Sequence, residues 1–196
     1  MASTRRICAP DSKTRALLLD ATEQLMLEDG YAAVSSRRVA SKAGLKPQLV
    51  HYYFRTMDDL FLEVLGRRAE QNLERYRRAL TSERPLRALW ALTTDARGAA
   101  FTMEFAALAN HRKAIRAEIA RYAERFRRMQ LDVLGRLLEG SGISADNCPP
   151  VVALLAMTGI SQVVALEQAL GITTGHEETL AFVERHIDQL EKGQAA

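Results

Sequence analysis

The chain is poor in the residues that staple or punctuate small folds. Its 196 residues include two cysteines, Cys8 and Cys148, with no CxxC pair and no Cys/His cluster. That excludes a disulfide framework or a zinc module and makes a reducing, cytoplasmic setting the default. There are five prolines, Pro10, Pro47, Pro85, Pro149 and Pro150, and the stretches between them space their apolar residues as helices do, so no strand is expected. No apolar segment of signal-peptide type stands near Met1, so no secretory signal is expected. The most apolar run, Val151 to Leu166, is interrupted by Thr158, Ser161 and Gln162. It is shorter than the roughly 20 apolar residues of a membrane span and reads as a helix buried against protein, without a membrane partner. Catalytic signatures are missing too: there is no G-x-S-x-G, H-E-x-x-H, P-loop or dinucleotide fingerprint, and His51, His111, His176 and His186 lack metal-ligand spacing. Neither an enzyme, a metal site nor a cofactor is expected.

What is present is an ordinary core-forming composition, 47% hydrophobic and 26% charged, with a net charge of +3 distributed unevenly. Residues 1–57 carry nine Lys/Arg against five Asp/Glu, residues 58–128 fifteen against ten, and residues 129–196 three against nine. The front of the chain is basic and the back acidic. Between Asp29 and Asp58 there is no acid, while Arg37, Arg38, Lys42, Lys46 and Arg55 fall there. Such a stretch faces a polyanion or is simply well solvated, and charge alone does not choose.

Periodicity lays out about nine helices, an all-α fold. A first helix is expected from about Ser12 to Glu28, with Leu18, Ala21 and Leu25 on one face and Gly30 as its stop. Two short helices follow, Ser36 to Ala43 closed by Gly44, and Pro47 to about Phe54. Thr56 caps a long helix in which Leu62, Leu65, Ala69, Leu73, Tyr76 and Leu80 step by three or four. Helices from Pro85 to about Ala96 and Ala99 to about Ala109 come next. Then Ile115, Ile119, Tyr122, Phe126, Met129, Val133 and Leu137 form a core stripe, followed by the loop Gly140 to Pro149, an apolar helix Pro150 to Leu170, and a last helix Glu177 to Glu191. That last helix sets Leu180, Val183, Ile187 and Leu190 on one face and Phe182 on another.

Two short helices joined by a tight glycine turn, acid-free and preceded by a supporting helix, have the dimensions of a helix-turn-helix, whose second helix enters the DNA major groove. Arg37 and Arg38 sit in a first helical turn, where the dipole disfavours cations. They are either solvated or compensated by a phosphate at the helix N-terminus. Lys46 stands where Ser or Asp would cap better, which a phosphate or base-edge contact would explain and an unconstrained surface position would equally allow. Gly30-Tyr31, Ser35, Val39-Ala40, Ala43-Gly44-Leu45, Tyr52-Tyr53-Phe54 and Leu60 resemble, in type and spacing, the tetracycline-repressor (TetR) family of bacterial transcription regulators. The resemblance covers about Leu18 to Leu65, and beyond that only helix number and length agree.

The resemblance implies that Ser35 caps the first short helix and touches a phosphate and that Gly44 makes the turn. Val39, Ala40 and Phe54 then pack, Lys46, Gln48, Leu49 and Tyr52 face the groove or its edges, and Tyr53 lies near a phosphate. Three positions depart from the family: His51 stands where Tyr is usual, Gln48 where a small residue is usual, and Met57 where a phosphate-contacting Lys is usual. Arg55 or Lys46 then substitutes for the missing cation. Gln48 can donate and accept at once, which suits adenine. His51 is expected as a half-buried packing residue with one hydrogen bond, and the basic tail with Arg5, Arg6, Lys13 and Arg15 as a follower of the adjacent minor groove.

In the second half, large and adaptable side chains accumulate. Trp90, Phe101, Met103, Phe105, Tyr122, Phe126, Met129 and Met157 are candidate pocket residues for a small hydrophobic or amphipathic effector, with Thr93, Glu104, Asn110, His111 and Gln162 as polar anchors. The same residues also suit plain core packing. The helix Pro150 to Leu170 is apolar nearly all round and must be buried on more than one side. With the stripe on Glu177 to Glu191 it predicts a four-helix homodimer interface, and the resemblance implies the same. The expectation is a DNA-binding domain at 1–57 and a connecting, effector-binding and dimerising domain at 58–196. Together they make a ligand-responsive repressor of a palindromic double-stranded operator. The alternative is a helical DNA-binding or adaptor protein without an effector.

Overall fold

A computed structural model of the chain describes residues 13–140, 144, 146 and 148–192. Among these it has nine α-helices: α1 Lys13–Asp29, α2 Ser36–Lys42, α3 Pro47–Tyr53, α4 Met57–Leu80, α5 Pro85–Thr93, α6 Ala96–Ala109, α7 Lys113–Gly140, α8 Pro150–Ala169 and α9 His176–Lys192. A 3-10 turn occupies Tyr31–Ala33, and no strand occurs among the described residues. The expected helices are all present. The α5–α6 junction is displaced by three residues: α5 ends at Thr93 rather than Ala96, and α6 starts at Ala96 rather than Ala99, because the Ala99 N–H already donates to the Asp95 carbonyl at 3.0 Å.

The chain divides into two compact units. The first runs to Ala69 and takes in Phe101–Ile119; the second comprises Glu70–Ala100 and the chain from Ala120 onward. In the first unit Leu18, Leu25 and Met26 of α1, Val39 and Ala40 of α2, Val50 of α3, Phe54, and Leu60, Phe61 and Val64 of α4 are almost wholly buried. Each large side chain so placed contributes about 1.5–3 kcal/mol. The start of α4 is fixed by reciprocal caps: Thr56 Oγ1 accepts the Asp59 N–H at 3.1 Å and Asp59 Oδ2 accepts the Thr56 N–H at 3.0 Å. Arg67 on Asp20 (2.7 Å), Arg68 on Glu23 (3.1 Å) and Arg15 on Glu63 tie α4 to α1.

In the second unit Leu86, Trp90, Leu134, Leu138, Leu154, Val183 and Ile187 form one buried cluster, with Met157, Leu180 and Leu190 packed against it. Of the stripe expected on α7, Ile115 and Tyr122 are buried, but near its end the core residues are Leu134 and Leu138, not Val133 and Leu137. At about 100° per residue, Leu134 and Leu138 lie about 100–140° round the helix from Ile115. A 28-residue helix that serves two cores does not bury a single straight stripe. The α9 stripe expected to face a second copy packs on the chain's own cluster, and the large apolar residue that α9 leaves outside is Phe182, 54% exposed. At 20 residues α8 is long and apolar enough, by length and composition, to cross a membrane, although Leu154, Ser161 and Val164 anchor it in the protein.

Candidate nucleic-acid interface

Local chemistry sets the α2–α3 pair. Ser35, with extended backbone, caps α2 by accepting the Arg38 N–H on its hydroxyl at 3.4 Å. Gly44 ends the helix at φ 68°, a conformation costly for any residue with a Cβ. The Leu45 N–H then reaches the Ala40 carbonyl at 2.8 Å and the Gly44 N–H the Ser41 carbonyl at 3.1 Å, satisfying two carbonyls of the last turn. Lys46 holds the N-cap of α3 without a side-chain cap bond, and Pro47 follows at the first helical position. Val39, Ala40, Val50 and Phe54 face inward, which leaves the other side of α3 free.

On that free side Gln48, His51 and Tyr52 are exposed, while Leu49 and Tyr53 are half-buried. His51 is thus not the packing residue expected. Position 51 falls one step beyond buried Val50, on the outer face of α3, so the imidazole is available to a ligand. Tyr52 and Tyr53 meet edge to face with ring centroids 5.2 Å apart, and Tyr53 leans on Phe54 at 6.4 Å.

The cations fall into two groups. Arg38 is paired with Asp29 at 2.6 Å, and Lys42 with Glu28. Arg37, Lys46 and Arg55 are exposed and have no ion-pair partner among the described residues. Sequence reading missed the two acids, although Glu28 and Asp29 close α1 at the negative end of its dipole, an unfavourable place that calls for a nearby cation. Arg15, expected in the minor-groove tail, is held by Glu63, with its guanidinium carbon 5.7 Å from the Phe54 ring centroid. Arg5 and Arg6 lie outside the described residues.

The expected pocket residues are divided between the units. Phe101, Met103 and Phe105 belong to the first, where the two phenyl rings stand 4.7 Å apart and Arg68 lies 5.4 Å from the Phe101 ring centroid. Trp90, Tyr122, Phe126, Met129 and Met157 belong to the second. There Trp90 is in the buried cluster with Met157 against it, and Tyr76 meets Phe126 edge to face at 5.5 Å. Burial pushes the Tyr76 hydroxyl up from its ordinary pKa, with Arg75 opposing the shift. Of the expected anchors, Thr93 donates to the Trp90 carbonyl of its own helix at 2.9 Å, Glu104 accepts the Tyr31 N–H, and Asn110, His111 and Gln162 are exposed. A groove of about 400 Å³ that sequence reading did not foresee lies along α8 and the turn into α9. Its lining includes Gly159, Val163, Glu167, His176 and Thr179, and there His176 Nε2 stands 2.7 Å from Glu167.

Residues 18–64 match the family model of bacterial regulatory proteins, tetR family. Similar solved structures extend the likeness in fold over nearly the whole chain. A Rhodococcus sp. protein assigned to the TetR-family transcriptional regulators is 18% identical, with 91% of this chain and 98% of that one covered at a TM-score of 0.68. One so assigned from Mesorhizobium loti is also 18% identical, with 95% and 98% covered at 0.68. A Streptomyces coelicolor protein described as a transcriptional regulator is 23% identical, with 89% and 98% covered at 0.62. No curated protein matches the chain. The head of the chain, residues 18–64, thus carries the pattern of the tetR family of bacterial regulatory proteins, and over the rest of the chain the likeness to these regulators is one of fold.

Proposed function

We propose that the protein is a ligand-responsive repressor that binds a palindromic operator as a homodimer, with residues 1–57 as the DNA-binding domain and residues 58–196 as the connecting, effector-binding and dimerising domain. The observation that carries the DNA reading is the outer side of the helix pair. Gln48, His51 and Tyr52 stand exposed on α3, with Arg37, Lys46 and Arg55 around them, unpaired among the described residues. In this reading α3 enters the major groove with Gln48, Leu49 and Tyr52 toward base edges, while Ser35, Arg37, Arg38, Lys46, Tyr53 and Arg55 hold phosphates. Arg38 must then share Asp29 with the phosphate or exchange it. Selection of bound duplexes from a random pool, followed by affinity against salt, tests this; a flat salt dependence refutes it.

The second copy is supported by what α8 leaves uncovered. Val152, Leu155, Gly159, Val163, Leu166 and Leu170 recur at steps of three and four on one face, and all are exposed. Gly159, midway along the helix, has nothing within 4 Å of where a Cβ would stand. A continuous apolar face of this kind is rare on a monomer and suits a two-fold contact, and Phe182 of α9 is exposed as well. The helices 150–170 and 177–191 then contribute unequally: α8 supplies most of the seam, and α9 spends its own stripe inside the chain.

For the effector, the second unit offers Trp90, Tyr122, Phe126, Met129 and Met157, together with the half-buried Tyr76, whose ring meets Phe126. Large apolar and adaptable side chains of this kind suit a small hydrophobic or amphipathic ligand. The ligand releases DNA if it binds more tightly to a conformation with the heads misplaced. Trp90 is the sole tryptophan, so its fluorescence reports a titrated ligand directly.

A further inference from the structure

Two charged contacts of the first unit tie the stretch from α6 to α7 to both ends of the helix-turn-helix. At the entry, the turn Tyr31–Ala33 begins at Gly30, whose φ is 79° and which supplies no side-chain cap. The Tyr31 N–H would be left without an acceptor. It donates instead to Glu104 Oε2 at 2.6 Å, across 73 positions of sequence. The same oxygen lies 3.5 Å from where a Cβ on Gly30 would stand, so the carboxylate is seated against the turn. Glu104 is the sole acid of α6, in a run that is otherwise almost wholly uncharged.

At the exit, Arg112 pairs with Asp58 in the first turn of α4, and its guanidinium carbon lies 5.9 Å from the Phe61 ring centroid. Tyr31 stands just before Ser35, the cap of α2, and Asp58 just after α3. The reading helices are therefore gripped on either side by residues 104 and 112, eight positions apart at the α6–α7 corner.

We propose that Glu104 and Arg112 are positioning residues for DNA binding, holding the entry and exit of the helix-turn-helix so that α2 and α3 keep the placement that DNA requires. The proposal rests on the DNA-binding reading above. A carboxylate bond to an otherwise orphaned N–H is stronger than a neutral one. Without it the turn into α2 loosens, and apparent affinity falls with the fraction of molecules whose heads are competent. Neither residue needs to touch DNA for this.

The test uses the full chain and a duplex obtained by selection. For Glu104→Ala and Arg112→Gln, amide exchange over residues 31–38 and 54–61 is followed alongside DNA affinity at several salt concentrations. Glu104→Ala is expected to speed exchange around Tyr31 and weaken binding roughly 10- to 100-fold, the size of one lost charged hydrogen bond. The salt slope should stay unchanged, because no phosphate-facing cation is lost. Glu104→Gln keeps an acceptor oxygen and should regain most of the affinity. If Glu104→Ala does not fold, Arg112→Gln carries the same test from the exit side, with exchange expected to rise around Asp58. Affinity equal to wild type in the folded variants would overturn the proposal alone. So would a shallower salt slope, or exchange raised evenly through the chain without rescue by glutamine. A wild-type protein that binds no duplex would overturn the DNA reading as well.

Discussion

Replacing Arg55 by alanine removes one of three exposed cations on the helix pair, and the size of its effect follows from counting charges. Arg37, Lys46 and Arg55 have no acidic partner among the described residues, whereas Arg38 and Lys42 are held by Asp29 and Glu28. If each free cation meets one phosphate, and Arg38 keeps Asp29 while touching its phosphate and so adds no net charge, a head neutralises three and a dimer six. Log K should then fall with log salt at a slope of roughly −5, taking about −0.9 per phosphate. Arg55→Ala leaves four contacts per dimer and a slope of roughly −3.6, so that affinity lost between 50 and 200 mM salt drops from about 1,000-fold to about 100-fold. Arg55 is exposed and outside the core, so thermal stability should not move by more than about 0.5 kcal/mol. Fluorescence anisotropy of a labelled duplex over that salt range reads both slopes. A wild-type slope near zero, or an Arg55→Ala loss that depends on duplex sequence at constant slope, would refute the assignment of Arg55 to a phosphate.

Other consequences are open to measurement. Val163→Arg sets like charges across the proposed two-fold seam from a position already 53% exposed; it should leave the protomer folded and shift sedimentation from dimer to monomer, and an unshifted boundary would exclude that seam. Gly44→Ala forces a Cβ into φ 68° and should cost about 1–2 kcal/mol in urea unfolding, although open space surrounds the site; an unchanged midpoint would show that the turn relaxes. The Arg84 hydrogen bond holds the Asp188 carboxyl below its ordinary pKa. A carboxyl so depressed contributes stability at pH values above its unfolded pKa of about 3.9 and loses it as pH falls through the folded value. Wild type should therefore melt above Asp188→Asn at pH 7, with the gap closing toward pH 3; a gap that is constant across that range would remove Asp188 from the account.

The head was legible because its information is local. Ser35 at the cap, Gly44 at the turn and Pro47 at the first position of α3 each fix backbone geometry within a few residues, and the structure shows all three where sequence placed them. The packing of Val39, Ala40 and Phe54 came from the family resemblance, and Val50, which sequence reading did not name, joins them in the core. What escaped was whatever depends on a neighbour. His51 looked like a packing residue until α3 was seen to bury Val50 alone. The acid-free stretch looked like free positive charge, yet Asp29 and Glu28, just outside it, take up two of its five cations. That pairing was the more readable of the two, since each acid sits at the wrong end of α1's dipole and Arg38 at the wrong end of α2's, although Lys42 already stands at the favourable end.

Glu104 shows the limit more sharply. On a helical wheel it is a lone acid among apolar neighbours, which fits a polar anchor for a ligand as well as any other role. Only the fold reveals that Tyr31, 73 residues earlier, presents an N–H that its own turn cannot satisfy. The α9 stripe is the same problem inverted: Leu180, Val183, Ile187 and Leu190 are spaced to be buried, but spacing does not say against what, and the chain's own Trp90 cluster takes them. Periodicity therefore identifies which faces must be covered, and the assignment of each face to its own chain, to a second copy or to a ligand requires a count of what is left over. On that count α9 has little left to offer a second copy, while α8 keeps a whole face from Val152 to Leu170. The case for a partner thus rests on α8 far more than sequence alone suggested.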